Sequence, residues 1–198
     1  MSHTRSTSRA RLASLKRWLA CAALCLSSGA MALPGDLSPE LRHARWTDSN
    51  GAPLQLAAMR SPWVVMTMAY TACRRTCSTS TLVLADIQRQ LDLMNQRADF
   101  VVVSFDPASD SPEAWDDYRR KRGLMRDNWH FLSGGARDTQ RLARLLDLDY
   151  WSYHGHVVHD FRIVVFDADW RVAFQLDWDQ VDRLPQMLEA AVRRQAPR

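Results

Sequence analysis

The order of apolar and polar positions along the chain predicts strands that alternate with helices. Near-continuous apolar runs or period-two patterns predict strands at Trp63–Ala69, 100–105, 129–132, 161–166 and 171–176. Apolar residues at helical spacing predict helices at about 81–94, 138–146 and 180–194. Another helix is predicted by Ser111 as its N-cap, Pro112 as its first residue and Glu113 in its first turn. Turns are expected at Gly134-Gly135 and at 167–170, where the last two strands form a hairpin.

This order of elements predicts an α/β fold of the thioredoxin-like sandwich type, in which a central mixed sheet is flanked by helices. Residues 33–62 are rich in Pro, Gly and small polar residues, and they predict a leading arm with one hairpin. The remaining pattern shows no internal repeat and no low-complexity segment. We therefore expect one compact domain over residues 33–198.

The first 32 residues have the features of a signal peptide. A basic region precedes a short apolar run at 18–26, and Ala30 and Ala32 supply the small residues of a cleavage site. We expect cleavage after Ala32 and export to the periplasm, which would remove Cys21 and Cys25. The alternative left open is an uncleaved leader that anchors the protein to the membrane through residues 18–32.

The net charge changes sign once the leader is set aside. The full chain carries 26 Lys and Arg against 22 Asp and Glu. Five of these basic residues and none of the acidic ones lie in residues 1–32, which leaves 21 against 22 and a net charge of −1. No basic patch with interleaved aromatic residues remains, so we expect no nucleic-acid partner.

Cys73 and Cys77 are the two cysteines that remain after the leader, and they lie between a predicted buried strand and a predicted helix. The helix N-terminus favours thiolates, so the pair suits redox exchange, soft-metal binding or both. Their spacing places both sulfurs on one face of the first helical turn. A disulfide between them would close a loop of only three residues, which favours reactivity over a stabilising role.

Three segments in order resemble the Sco/SenC family, thioredoxin-like proteins that handle copper during assembly of the binuclear copper centre of cytochrome oxidase. MAYTACRRTC at 68–77 is similar to the family's Tyr-Thr lead-in to a C-x3-C pair. SFDPASDSPE at 104–113 is similar to its Ser-Val-Asp-Pro segment ending in Asp-Thr-Pro-Glu. VVHD at 157–160, followed by a strand and an Asp-x-Asp turn, is similar to the region that supplies its third metal ligand.

The resemblance implies that Cys73, Cys77 and His159 are copper ligands. Two thiolates and an imidazole suit Cu(I) and can also hold Cu(II), whereas a structural zinc site would need a fourth ligand. The implied partner is a cuproprotein client such as a cytochrome oxidase subunit, which receives copper or has its copper site prepared. We expect a monomer, because no feature of the sequence indicates an oligomer.

The sequence departs from the family pattern at four positions. Arg74 and Ser78 stand where prolines are usual, and Val158 stands where an acidic residue usually precedes the histidine. Arg74 and Arg75 lie between the two cysteines, where positive charge favours thiolates and repels a metal cation. The alternative function is therefore a periplasmic thiol–disulfide oxidoreductase acting on cysteines of a cuproprotein client.

In that alternative, Cys73 attacks first as the more exposed thiol, and Cys77 resolves the mixed disulfide. A peroxidase is disfavoured, because no hydrogen bonds that would hold a peroxide at a single cysteine are evident. Whether the protein is an enzyme or a metallochaperone stays open at this point.

Several other residues are open to a structural or a functional interpretation. Asp106 and Asp110 are both candidates for the outer shell of the site, but turn and cap chemistry explains Asp110 fully, whereas Asp106 stays open. Tyr70 packs either over the sulfurs or into the core. Residues predicted to have a structural role are Met66 and Met68 in the core and Trp151, Tyr153, His154 and His156 in an exposed loop.

Overall fold

A computed structural model describes residues 35–73 and 76–195, and at positions 76–78 it describes the backbone alone. The strands are β1 (Trp46–Asp48), β2 (Pro53–Leu54), β3 (Trp63–Ala69), β4 (Ala98–Ser104), β5 (Trp129–Gly134), β6 (Tyr150–Tyr153), β7 (His156–His159), β8 (Ile163–Asp167) and β9 (Val172–Leu176). The helices are α1 (Pro39–Arg42), α2 (Thr76–Leu93), α3 (Pro112–Arg122), α4 (Ala136–Leu145) and α5 (Leu184–Gln195), with 3-10 turns at Leu56–Ala58 and Trp178–Arg183.

The main sheet confirms the predicted α/β architecture with a central mixed sheet. Seven strands pair in the order β2-β1-β5-β4-β3-β8-β9. Strands β3, β4 and β5 are parallel, and the other pairs are antiparallel. Every residue of β3 is buried, as its unbroken apolar run predicts for a strand covered on both faces. The domain boundary and the signal peptide at 1–32 lie outside the described residues and stay predictions.

Helix α2 begins at Thr76, five residues before the predicted start. Five of the six residues from Thr76 to Thr81 carry hydroxyl groups, so the segment gives no signal of helical periodicity. Ser80 and Thr81 are nevertheless buried. Helix α3 begins as predicted: Pro112 is its first residue, and the Ser111 Oγ accepts a hydrogen bond from the Ala114 amide at 3.2 Å.

The leading arm adds two short strands to the edge of the main sheet. Strand β1 pairs with β5, and Trp46 lies opposite Gly134 with only 1% of its surface exposed. Gly134 is therefore the last residue of β5 and not part of the predicted turn. A Cβ at Gly134 would lie 2.5 Å from two atoms of the Trp46 ring, so the absence of a side chain lets the indole pack there.

The segment predicted as an exposed loop forms a β-hairpin. Strands β6 and β7 pair only with each other and make a separate two-stranded sheet. His154 and Gly155 form the turn with positive φ angles of 48° and 75°, as a tight hairpin turn requires. The prediction was wrong because it used the exposure of this segment and overlooked the turn signal at Gly155.

The C-terminal helix is shorter than predicted. A 3-10 turn at Trp178–Arg183 precedes α5, which begins at Leu184. Pro185 lies in the first turn of α5, where the missing N–H costs no hydrogen bond, and a longer helix through this position would lose one. Within residues 35–73 and 76–195, no helix has the length and apolar character needed to cross a membrane.

Candidate metal centre

The candidate site lies at the carboxyl ends of β3 and β4. The two strands run parallel in register up to Ala69 and Ser104, and the Phe105 amide donates a hydrogen bond to the Ala69 carbonyl at 2.9 Å. Tyr70 and Phe105 therefore leave the sheet side by side. This edge is where ligands usually bind to parallel sheets.

Cys73 lies in a tight turn that follows β3. Its amide donates a hydrogen bond to the Tyr70 carbonyl at 3.2 Å, and its side chain is 6% exposed. Cys73 itself lies outside the described residues of α2, and the predicted placement of both sulfurs on one helical face stays a prediction. The backbone of Cys77 lies in the first turn of α2.

Asp110 holds the cysteine turn from outside it. Its Oδ1 accepts hydrogen bonds from the Thr71 amide at 2.9 Å and from the Thr71 hydroxyl at 2.6 Å. Its Oδ2 accepts a hydrogen bond from the Ser104 hydroxyl at 2.5 Å. Burial raises the pKa of Asp110 above its ordinary value, although the bonds from Ser104 and Thr71 oppose that rise. The carboxyl group thus ties the turn before Cys73 to the end of β4.

His159 is the last residue of β7, and it faces the strand ends. Its ring centroid lies 4.6 Å from that of Phe105, and it meets the Tyr70 ring at 5.9 Å in a T-shaped arrangement. Its Nδ1 lies 2.6 Å from the Asp160 carbonyl oxygen. A carbonyl oxygen can only accept, so the neutral imidazole carries its proton on Nδ1 and its lone pair on Nε2. This tautomer presents Nε2 as a metal ligand.

Tyr70 contacts both the cysteine turn and the histidine hairpin. Its carbonyl accepts the hydrogen bond from Cys73, and its hydroxyl donates one to the Val157 carbonyl in β7 at 3.0 Å. The ring is 6% exposed, and its contact with His159 shows that it packs between the two parts. The structure therefore brings Cys73 and His159 to the same tyrosine.

The structure describes only some of the other residues that the sequence predicts for the site. Arg74 and Arg75 lie outside the described residues, and so do the side chains of Cys77 and Ser78. Among the side chains that are described, no three His, Cys, Asp or Glu residues form a metal-binding group. The assignment of Cys73, Cys77 and His159 as ligands therefore stays a prediction. The relative exposure of the two thiols stays open, but Cys73 is buried.

Sequence reasoning preferred a local role for Asp110 over a place in the outer shell of the site. It explained this residue by turn and cap chemistry, whereas its side chain bonds across 39 positions to Thr71. A local sequence pattern does not predict a contact between residues so far apart in the chain. Asp106 donates its amide to the Ser104 hydroxyl at 2.8 Å and is half-buried. Met66 and Met68 are buried in the core, as predicted.

The two faces of the β6–β7 hairpin differ in exposure. Tyr150 and His159 pair across the strands and pack against Phe105. The outer face consists of the exposed cross-strand pairs Trp151–Val158 and Tyr153–His156. The predicted exposure of these residues is confirmed, although they lie in strands rather than in a loop.

A mixed sheet flanked by helices, with a cysteine turn after its central strand, defines a protein of the thioredoxin-like class. The family model described as SCO1/SenC matches residues 41–190, and the chain belongs to this family. The SCO1 protein homolog of Bacillus subtilis (strain 168) is 24% identical over 111 residues, which make up 56% of this chain and 57% of the relative. The chain spans about half the length of the curated relatives that it matches.

Solved structures confirm the thioredoxin-like fold. Arabidopsis thaliana ScoI with copper bound is similar with a TM-score of 0.68 at 16% identity, over 82% of this chain and 99% of that one. BsSco has a TM-score of 0.65 at 19% identity, over 81% of this chain and 95% of its own. BsSco is described as a member of the Sco family of cytochrome c oxidase assembly proteins with a disulfide switch.

Proposed function

We propose that this protein binds a copper ion through Cys73, Cys77 and His159 and passes it to a cuproprotein client such as a cytochrome oxidase subunit. Copper is then the cargo of the protein. Family membership supports this function, and so does the copper bound to the Arabidopsis relative. The proposal includes export to the periplasm through residues 1–32, and the expected monomeric state stays a prediction.

The observation that carries the proposal is the contact of Tyr70 with both the cysteine turn and His159. Tyr70 bonds to the Cys73 amide through its carbonyl and meets the His159 ring with its own. Cys73 and His159 thus lie on two elements that share Tyr70 as a neighbour. Soft thiolates with an imidazole fit Cu(I), which accepts few ligands, and also fit Cu(II).

A second candidate function is thiol–disulfide exchange with a cuproprotein client. The disulfide switch described for BsSco favours it, together with the C-x3-C spacing of Cys73 and Cys77. One thiolate would attack a client disulfide and form a mixed disulfide, and the second thiolate would displace the client as a dithiol. The protein would be left with a disulfide, which an external periplasmic dithiol must reduce.

Copper stoichiometry of the reduced protein tests the first function. After Cu(I) loading and desalting against a strong competing chelator, we expect about one copper ion per chain, held by two thiolates and an imidazole. Cys73→Ser and His159→Ala should each lose the retained copper, because each removes one of three donors. Metal analysis of the desalted fractions measures the result.

A matched control separates the site from the rest of the hairpin. His154→Ala and His156→Ala remove exposed imidazoles near the hairpin turn and should keep the copper. Copper binding should collapse in His159→Ala while exchange with a model disulfide survives, since exchange needs only the two thiols. A wild-type protein that retains no copper would overturn the delivery function and favour the exchange function.

A further inference from the structure

Tyr70 is the described residue that contacts both the turn of Cys73 and the hairpin of His159 through hydrogen bonds. We infer that Tyr70 is a positioning residue, which fixes the His159 imidazole relative to the cysteine turn. The inference rests on the proposed function, because it concerns the same three ligands. Tyr70 itself is not assigned as a ligand.

The backbone of Tyr70 is held firmly on the cysteine side. Tyr70 follows β3 directly, and the Ala69 carbonyl before it is bonded to the Phe105 amide. The Tyr70 carbonyl closes the turn by accepting from the Cys73 amide at 3.2 Å. The Asp110 carboxyl group holds the next residue, Thr71, by two further hydrogen bonds. The position of the Tyr70 side chain is thus set by the central sheet.

The side chain of Tyr70 then extends to the histidine side. Its hydroxyl donates to the Val157 carbonyl at 3.0 Å, and Val157 lies two residues before His159 in β7. Alternate residues of a strand point to the same face, so Val157 and His159 share the inner face of the hairpin. The Tyr70 ring meets the His159 ring at an interplanar angle of 86°.

This hydrogen bond has a role that the ring contacts cannot fill. The hairpin pairs with no strand of the main sheet, and Phe105 packs against both Tyr150 and His159. Ring packing stabilises the hairpin but tolerates sliding, because apolar attraction is largely non-directional. A hydrogen bond to a fixed carbonyl is directional, so it defines where β7 sits along the Tyr70 side chain.

Tyr70→Phe removes the hydroxyl and keeps the ring. We expect the variant to bind one copper ion with an affinity about 3- to 10-fold weaker, the range that one lost hydrogen bond supports. The competition titration with a chelator of known affinity measures this change. Tyr118→Phe is the matched control, because Tyr118 is also buried but lies in α3, and the copper affinity of this variant should equal that of wild type.

A double-mutant comparison separates positioning from general stability. If Tyr70 acts through His159, Tyr70→Phe should weaken binding in the wild-type background and leave it unchanged in the His159→Ala background. A weaker chelator makes the low affinities of the His159→Ala proteins measurable. An equal loss in both backgrounds, or an unchanged affinity in Tyr70→Phe, would overturn the inference.

The metal-free protein gives a readout that does not depend on copper. The ring-proton NMR signals of His159 should shift in Tyr70→Phe and stay in place in Tyr118→Phe, because only the first change releases β7. Unchanged His159 signals in Tyr70→Phe would overturn the inference even if wild type bound no copper. If wild type binds no copper but the His159 signals shift in Tyr70→Phe, the proposed function alone is overturned.

Discussion

The Asp110 side chain stabilises the turn that contains Cys73, although Asp110 itself lies outside that turn. It is 1% exposed, and its carboxyl group accepts from the amide and hydroxyl of Thr71 and from the hydroxyl of Ser104. A buried carboxylate is costly unless it is bonded in this way. The three bonds offset part of that cost, but burial still raises the pKa of the group. The stability of the cysteine turn should therefore depend on pH.

Asp110→Asn tests this dependence, because the amide is nearly isosteric and cannot ionise. Between the ordinary pKa of an aspartate and its raised folded value, the folded protein holds a proton that the unfolded chain has released. Wild type should thus lose stability relative to Asp110→Asn as the pH rises from about 4 to 7. Urea unfolding at both pH values measures the difference.

An exposed carboxylate provides the control for this comparison. Asp127→Asn removes a charge at the surface, and its stability should run parallel to that of wild type across the same pH range. Parallel curves for wild type and Asp110→Asn would contradict the prediction.

At the scale of elements, strand β1 is held at the edge of the main sheet by one side chain that packs closely against a glycine of β5. Strand β1 is only three residues long, and its attachment to β5 relies on the Trp46 indole lying against Gly134. The indole brings large apolar area to a short edge strand, which few backbone hydrogen bonds hold. The arm is thus anchored by packing more than by pairing.

Gly134→Ala should weaken this anchor. The added Cβ would lie 2.5 Å from the Cε3 and Cζ3 atoms of Trp46, so the ring must move or the strands must separate. We expect the free energy of unfolding to fall by about 1–3 kcal/mol, the usual cost of overpacking. Chemical denaturation measures it.

The neighbouring glycine is a matched control. A Cβ at Gly135 meets no atom within 4 Å, so Gly135→Ala should lose less stability than Gly134→Ala, only the small cost of alanine at the N-cap of α4. Equal stabilities of the two variants would show that Trp46 does not need the space at Gly134.

At the scale of the whole molecule, the predicted leader would decide in which compartment the protein acts. The basic region and cleavage site predict that residues 1–32 are removed on export. Protein recovered from the periplasmic fraction should have an intact mass that begins at Leu33. If the leader is instead retained as a membrane anchor through residues 18–32, the protein should be found in the membrane fraction with a mass that includes Met1.

The sequence predicts the scaffold better than it predicts the site. Strand β3 is found at its predicted bounds because its apolar run is unbroken, and α3 begins at Pro112 because Ser111 caps it. The start of α2 was missed because its buried side includes hydroxyl groups. The hydrogen bond between Tyr70 and Val157 joins residues 87 positions apart, so no local pattern could reveal it.

The hairpin carries its histidine on one face and its exposed aromatic residues on the other. It shares no strand pairing with the main sheet, so changes to Trp151, Tyr153, His156 or Val158 leave the register of the domain intact. Substitutions on this outer face can therefore change the exposed surface of the hairpin while the inner imidazole of His159 stays in place. The adjacent residues Val158 and His159 thus belong to two surfaces of one strand that can change independently.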